Sequence, residues 1–287
     1  RVMMKDDRHL FGILFLVFVF DVWLYVSIVS FYFSSDFKAY FLSAGQGDAT
    51  LLVTPGGRRF VIDGGPGKRT VGELGSILPP WARRIDAILV THPQSDHFAG
   101  FIDVLKTYRV HYVFGNGDEN DTQTFGVFKK ILHEQGLNPI VLRTGDTLDI
   151  SKTHMLVLSP KNDVEVKNAK DKNDPGIVMR VEFGGKSILF TADVPKEILK
   201  KLPAKLLAVD ILKVPHHGSK TGLDEELMNM IKPKISIIEV GKNNYGHPRK
   251  EIMNILLAHA QQIFRTDRGR PTVVITLDDE MTVNDAL

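Results

Sequence analysis

Thr91 to Gly100 reads THPQSDHFAG and closes the apolar run IDAILV. Two imidazoles and a carboxylate so closely spaced at the end of a buried strand have the types and spacing of a divalent-metal site. The middle position is Gln94, where a metal-binding version of the pattern wants a third imidazole. Three further segments carry matching chemistry: Asp193 in ILFTADVP, His216 and His217 in VPHHGSK, and His247 in NNYGHPRK. Each follows an expected strand. Strand ends in an α/β fold gather along one edge, so loops distant in sequence can converge there. The 287 residues include ten histidines and no cysteine. Thiolate ligands and disulfides are therefore excluded, and any transition metal must be held by His, Asp, Glu or amide oxygen. His9, His111, His133, His154 and His259 lack such company and are assigned to surface or packing roles.

The elements that must position these residues follow from apolar patterning. KAYFLSA, ATLLVT and RRFVID are expected strands, the last two joined by the turn PGG. IDAILV, HMLVLSP, VDILKVP, ISIIEVG and TVVITL are further strands, and IVMRVEF, GG and SILFTAD form a hairpin. VGELGSIL, GFIDVLKTY, TFGVFKKILHEQG, VPKEILKKL, DEELMNMI and KEIMNILLAHA have helical spacing, the third closed by Gly136. The polar stretch from Lys161 to Pro175 is expected to be a surface loop. Two successive strand-rich and helix-rich blocks predict an α/β chain with two sheets face to face and helices outside.

Leu10 to Phe33 carries one charge, Asp21. A helix of this length covers a hydrocarbon core of about 30 Å. A central Asp costs roughly 2.5–3.5 kcal/mol, and each Leu, Ile, Phe or Val returns roughly 0.3–0.6 kcal/mol, so the sum favours insertion. The apolar run exceeds a signal-peptide core and YFSSDF is a poor cleavage site, which favours an uncleaved anchor. Residues 1–36 are thus expected to be a cytoplasmic stub and an anchor with its span at 10–33, and 37–287 a separate domain. Arg1, Lys5 and Arg8 precede the span and only Lys38 follows closely, which puts the N-terminus in the cytoplasm and the large domain outside. The net charge of +2 supplies no global basic field that would by itself argue for nucleic acid.

THPQSDH is similar to the His-x-His-x-Asp-His signature of the metallo-β-lactamase fold. FLSAGQGDATLL, FVIDGG, LFTADV, VPHHGS and NNYGHP follow in the order of one branch, the hydrolase domain of ComEC-type competence proteins, and span Phe41 to Pro248. The resemblance implies an αββα sandwich with one or two divalent metal ions (Zn or Mn, with Mg also allowed) at the sheet edge. It implies His92 on the first metal, Asp96 and His97 on the second, Asp193 bridging both, and His217 or His216 completing the second site. His247 corresponds to a substrate-side histidine, and Asp63 to a structural residue beneath the site. Gln46 and Asp48 are candidates for the pocket wall, although a Gly-rich turn capped by Asp explains them too.

Two departures concern the first metal. Gln94 replaces an imidazole, and no His follows HMLVLSP, since His154 lies at the other end of that strand. The first position keeps His92, Asp193 and the Gln94 amide oxygen, a set that favours Mn or Mg over Zn. The second keeps Asp96, His97, Asp193 and one His of the pair. The expectation is one firm metal and one weak metal.

The resemblance further implies phosphodiester cleavage, with DNA as one candidate substrate. Asp96 would orient the attacking water, and His247, Asn244, Lys220 or Arg249 would meet the phosphate. Full-length competence proteins of this type carry a multi-span channel, so translocation would need a separate membrane channel partner. Two rival readings are a hydrolase of another cell-surface ester or phosphoester and a binding module with a degraded metal site.

Overall fold

The computed structural model describes residues 3–32, 36–268, 272–277 and 280–285. Met3–Tyr32 is one helix. Its stretch His9–Ser27 is apolar enough to cross a membrane, and none of it is buried within the chain. It is therefore not a helix of the domain core. Phe33, the end of the expected span, and Arg1, one of the charges used for orientation, lie outside the described residues.

Two mixed sheets follow. The first runs in the order Glu280–Asp285, Thr272–Leu277, Phe37–Phe41, Thr50–Thr54, Arg58–Ile62, Arg84–Val90, Arg109–Gly115, Ile140–Val141. The second runs Gln262–Arg265, Ile235–Ile238, Ile211–Lys213, Lys186–Phe190, Val178–Phe183, Thr153–Ser159, Thr147–Ile150. The central strands are apolar on both faces because both faces are covered. In the first sheet Leu52, Phe60 and Leu89 point toward the second sheet, and Leu51, Val61 and Ile88 toward the helices. In the second sheet Ile188, Phe190 and Ile237 point inward, and Leu189 and Ile238 outward. Phe41 stacks on Phe190 across the interface with centroids 5.9 Å apart, and Phe37 on Phe183 at 5.4 Å. The result is the expected αββα sandwich.

Strand direction explains where the chemistry collects. Arg58–Ile62, Arg84–Val90 and Arg109–Gly115 are parallel, as are Lys186–Phe190, Ile211–Lys213, Ile235–Ile238 and Gln262–Arg265. Asp63, His92, Asp193, His216 and Glu239 therefore leave carboxyl ends of strands. Thr50–Thr54 is antiparallel to Arg58–Ile62, so the loop before it, carrying Asp48, reaches the same edge.

Several elements differ from the patterning, among them the short strands Thr147–Ile150 and Gln262–Arg265, and three differences have a local cause. RVHYVFG, Arg109–Gly115, is a strand that the helical segments on either side masked. The polar stretch after Lys161 holds a short helix, Asp163–Lys167. Asn162 Oδ1 caps it by accepting from Glu165 N, and Glu165 Oε2 accepts from Lys161 N. These reciprocal bonds resemble a capping box displaced by one residue. VPKEILKKL yields one helical turn, Lys196–Leu199, after its leading proline.

Phe41 is buried without exposure. Phe41→Ala is expected to cost about 3–5 kcal/mol, read from the chemical-denaturation midpoint.

Candidate metal centre

His97 lies in the short helix Ser95–Phe98, which Gln94 opens just past the strand end. Its Nδ1 lies 2.8 Å from Asp63 Oδ2, and Asp63 also accepts from the Thr91 amide and hydroxyl, both at 2.8 Å. Asp63 thereby fixes the imidazole with Nε2 turned inward, the way outer carboxylates orient metal-ligating histidines. That Nε2 is 3.4 Å from Asp193 Oδ2. His217 Nε2 lies 3.4 Å from the same oxygen and 3.5 Å from Asp96 Oδ2. His217 Nδ1 donates to the Glu239 carbonyl at 2.8 Å. The ligand atoms of Asp96, His97, Asp193 and His217 all fall within 4.8 Å of one another.

His216 and His217 both have left-handed backbones, φ 51° and 52°, followed by Gly218 at φ 81°. This turn sends the neighbouring imidazoles to different places. His217 is buried in the cluster, and His216 is 26% exposed at its rim, with Nε2 3.6 Å from Asp193 Oδ2. Gly218 is required there, because a Cβ would sit 2.6 Å from Pro248 Cβ. His92 is buried with its ring 4.1 Å from that of His97, outside the tight four-residue group. The Thr91 hydroxyl is committed to Asp63, so His92 Nδ1 donates to Thr91 Oγ1 at 3.0 Å and Nε2 keeps its lone pair.

The Nε2 atoms of His92, His97 and His217 and Asp193 Oδ1 are buried without hydrogen-bond partners. Buried polar atoms are rarely left so, and several at one point need a common explanation. A divalent cation fits two imidazole nitrogens and two carboxylate oxygens in such a group.

Lys213 and Glu239 were not among the sequence candidates. The Lys213 ammonium pairs with Asp48 Oδ2, donates to Ala192 O at 3.1 Å and lies 3.8 Å from Asp193 Oδ1. Glu239 Oε1 accepts from Ala49 N at 2.9 Å and Thr50 Oγ1 at 3.0 Å, tying the loop of the first sheet to a strand end of the second. Both residues are charged types at the ends of apolar runs, DILKVP and ISIIEV, and that was the available signal.

Burial opposes charge throughout this cluster, and neighbours decide the outcome. Asp193, Asp63 and Asp96 outweigh burial and raise the His97 pKa well above the imidazole range. Asp193 and Asp48 do the same for His217, pushing it up to about 10. Asp193 is held well below the usual carboxylate range by His217, His97 and Lys213, against burial. Asp48 falls to about 2, where Lys213 and His217 overcome burial. His92 goes the other way, to about 3, through burial and the neighbouring His97. Protons on His97 and His217 therefore supply positive charge among these carboxylates.

Residues 42–241 match the family model of the Metallo-beta-lactamase superfamily. The chain belongs to that superfamily. It is 29% identical to ComE operon protein 3 of Bacillus subtilis (strain 168) over 265 residues, covering 82% of this chain and 32% of that protein. It is 28% identical to Competence protein ComA of Neisseria gonorrhoeae over 229 residues, covering 78% of this chain and 30% of that protein. The chain thus spans about a third of the length of these curated relatives. The crystal structure of the metallo-beta-lactamase fold protein YhfI from Bacillus subtilis matches with a TM-score of 0.57 at 13% identity, covering 84% of this chain and 100% of that one, a likeness of fold.

Beside this superfamily centre lies an open cleft of about 900 Å³ that Gln46, Gln94, Asp96 and Asn244 help to line. Gln94 is part of the cleft wall next to Asp96 and makes no side-chain hydrogen bond among the described residues. Gln46 Oε1 also accepts from Gly241 N at 3.2 Å. The suggestion that Asp48 lines the pocket needs correction: it is buried beneath the cleft, held there by Lys213. Lys220 and Arg249 are exposed and stand outside the cleft lining. Arg249 N donates to Gly218 O at 2.9 Å, which joins the HHG and GHP loops. Burial, then His216, His217 and Arg249, lower the His247 pKa to about 4. His154 pairs with Asp149 at 2.6 Å and His259 with Glu225, both outside the cluster.

A divalent ion needs the Nε2 lone pairs that protons occupy on His97 and His217, so binding must release protons and affinity must rise with pH. Calorimetry of Mn²⁺ binding in buffers of different ionisation enthalpy is expected to show about one to two protons released per ion near neutral pH. Proton-neutral binding would contradict this electrostatic account.

Proposed function

We propose that the chain is a membrane-anchored, metal-dependent phosphodiesterase whose substrate is DNA or a related phosphodiester. The observation that carries this reading is the convergence of Asp96, His97, Asp193 and His217, with buried Nε2 atoms that have no hydrogen-bond partner. In this reading those four residues hold one divalent ion firmly. His92, Asp193 and the Gln94 amide oxygen make a weaker neighbouring position, with Asp193 shared. When bound, the ion supplies Lewis acidity, acidifying water toward neutral pH and offsetting charge on a phosphoryl oxygen.

The side chains do the rest. Asp96 is the most exposed of the four ligands and lines the cleft, so it can accept a hydrogen bond from the attacking water and aim it at phosphorus. His247 is neutral at pH 7 and donates to a phosphate oxygen without adding a fixed charge. His216, with its ring 5.8 Å from His247, is placed to pass a proton to the leaving oxygen. Lys220 and Arg249 supply positive charge along the outer rim. One relative is named a competence protein, which supports a link to DNA uptake.

The apolar helix supports anchoring in a bilayer. The Lys and Arg residues ahead of it in the sequence favour a cytoplasmic N-terminus with the hydrolase domain outside, and DNA passage would belong to a separate membrane channel partner. The Gln94 side chain in the cleft wall favours a second reading in one respect only: a first metal position too weak to fill without substrate.

The test measures hydrolysis of single-stranded DNA, duplex DNA and a small phosphodiester with Mn²⁺, Mg²⁺ or Zn²⁺. Asp96→Ala is expected to lower the rate about 100-fold or more while far-UV circular dichroism stays unchanged. An undiminished rate would remove Asp96 from the mechanism. No turnover of any phosphodiester by wild type carrying its metal would refute the proposed activity.

A further inference from the structure

The cleft beside Asp96 has one feature the hydrolytic centre does not use. Its wall from Lys242 to Tyr245 presents the Tyr245 ring, 65% exposed. One side of that ring meets His247, with centroids 5.8 Å apart and planes at 31°. His247 meets His216 at 5.8 Å, and His216 meets His217 at 6.1 Å. A run of rings thus leads from the open cleft to a residue of the metal cluster. The loop that holds it is braced: Asn243 Nδ2 donates to the Gly241 and His247 carbonyls, and Asn243 Oδ1 accepts from His247 N. Tyr245 is therefore presented by a fixed loop rather than left over on a surface.

The opposite wall is polar. Asn120 Nδ2 donates to Pro93 O at 2.6 Å, which places it next to Gln94. On the Tyr245 side, Lys242 is exposed and has no ion-pair partner among the described residues. An exposed aromatic ring, an uncommitted ammonium and amide side chains, set beside a centre for phosphate chemistry, match the parts of a nucleotide. In such a match the phosphate would lie at the centre, the base on the ring, and the next phosphate near the ammonium.

We propose that Tyr245 is the stacking platform for the nucleobase that flanks the scissile phosphate, and that Lys242 holds the adjoining backbone phosphate. This proposal rests on the phosphodiesterase reading and narrows its substrate to single-stranded nucleic acid. A base can lie on Tyr245 only when it has left its neighbours, which bases in a duplex have not done.

The test compares binding of two labelled single strands by fluorescence anisotropy, using the full chain in detergent. One strand is intact and the other is abasic at the nucleotides flanking one phosphate. Measurements are made with Mn²⁺ and with EDTA, so that binding is separated from cleavage. Wild type is expected to prefer the intact strand by about tenfold. In Tyr245→Ala that preference falls to about onefold, and in Tyr245→Phe it stays near tenfold. Equal affinity of wild type for the two strands, or a preference that survives in Tyr245→Ala, would overturn the proposal. Base-dependent binding without cleavage of any strand would sustain the subsite and refute the hydrolase reading. Cleavage without base-dependent binding would do the reverse.

Discussion

A balance of buried charge at the shared edge of the two sheets underlies the rest of this structure. The carboxylates of Asp48, Asp63 and Asp193 face Lys213, His97 and His217, all of them buried. Each of these groups would be costly alone, and removing one partner leaves the other uncompensated. The pairs also come from different strand ends. Asp63 and His97 belong to the first sheet's edge, Asp193, Lys213 and His217 to the second's, and Asp48 reaches across from the loop before Thr50. The same contacts thus pin the two sheets in register and assemble the centre.

Reactivity follows from that arrangement. Carboxylates this close demand positive charge, which protons on His97 and His217 supply and which a divalent ion can supply instead. Asp63 and the Glu239 carbonyl hold the outer nitrogens of the two imidazoles, so Nε2 of each faces the common point in either state. Chemistry and fold are coupled because the residues that hold these imidazoles and carboxylates in place also form the seam between the sheets.

Much of this was legible in the sequence, and the reasons are specific. The apolar runs IDAILV and ISIIEV read as strands, and each runs parallel to a neighbour in its own sheet, so the segments after them leave carboxyl ends of strands where the site collects. Asp96, His97, Asp193 and the HH pair announced themselves by residue type. Which of the pair turns inward was not legible, since it depends on two left-handed residues before Gly218. Lys213 was hidden because a lysine in an apolar strand is unremarkable until a carboxylate from a distant loop is seen beside it. Asp48 was legible as a residue of interest, but its depth was not, because burial depends on that same lysine. The strand Arg109–Gly115 lies between two helical segments and its outer residues are polar, so its pairing with Arg84–Val90 is what defines it.

The central claim is that Asp96, His97, Asp193 and His217 form the principal cation position, and His92 with Gln94 a lesser one. Anomalous diffraction from crystals equilibrated with Mn²⁺ tests it most directly. The account predicts one strong peak among those four side chains, with weak or absent signal between His92 and Gln94. Two peaks of equal strength, or a single peak at His92 and Gln94, would contradict it.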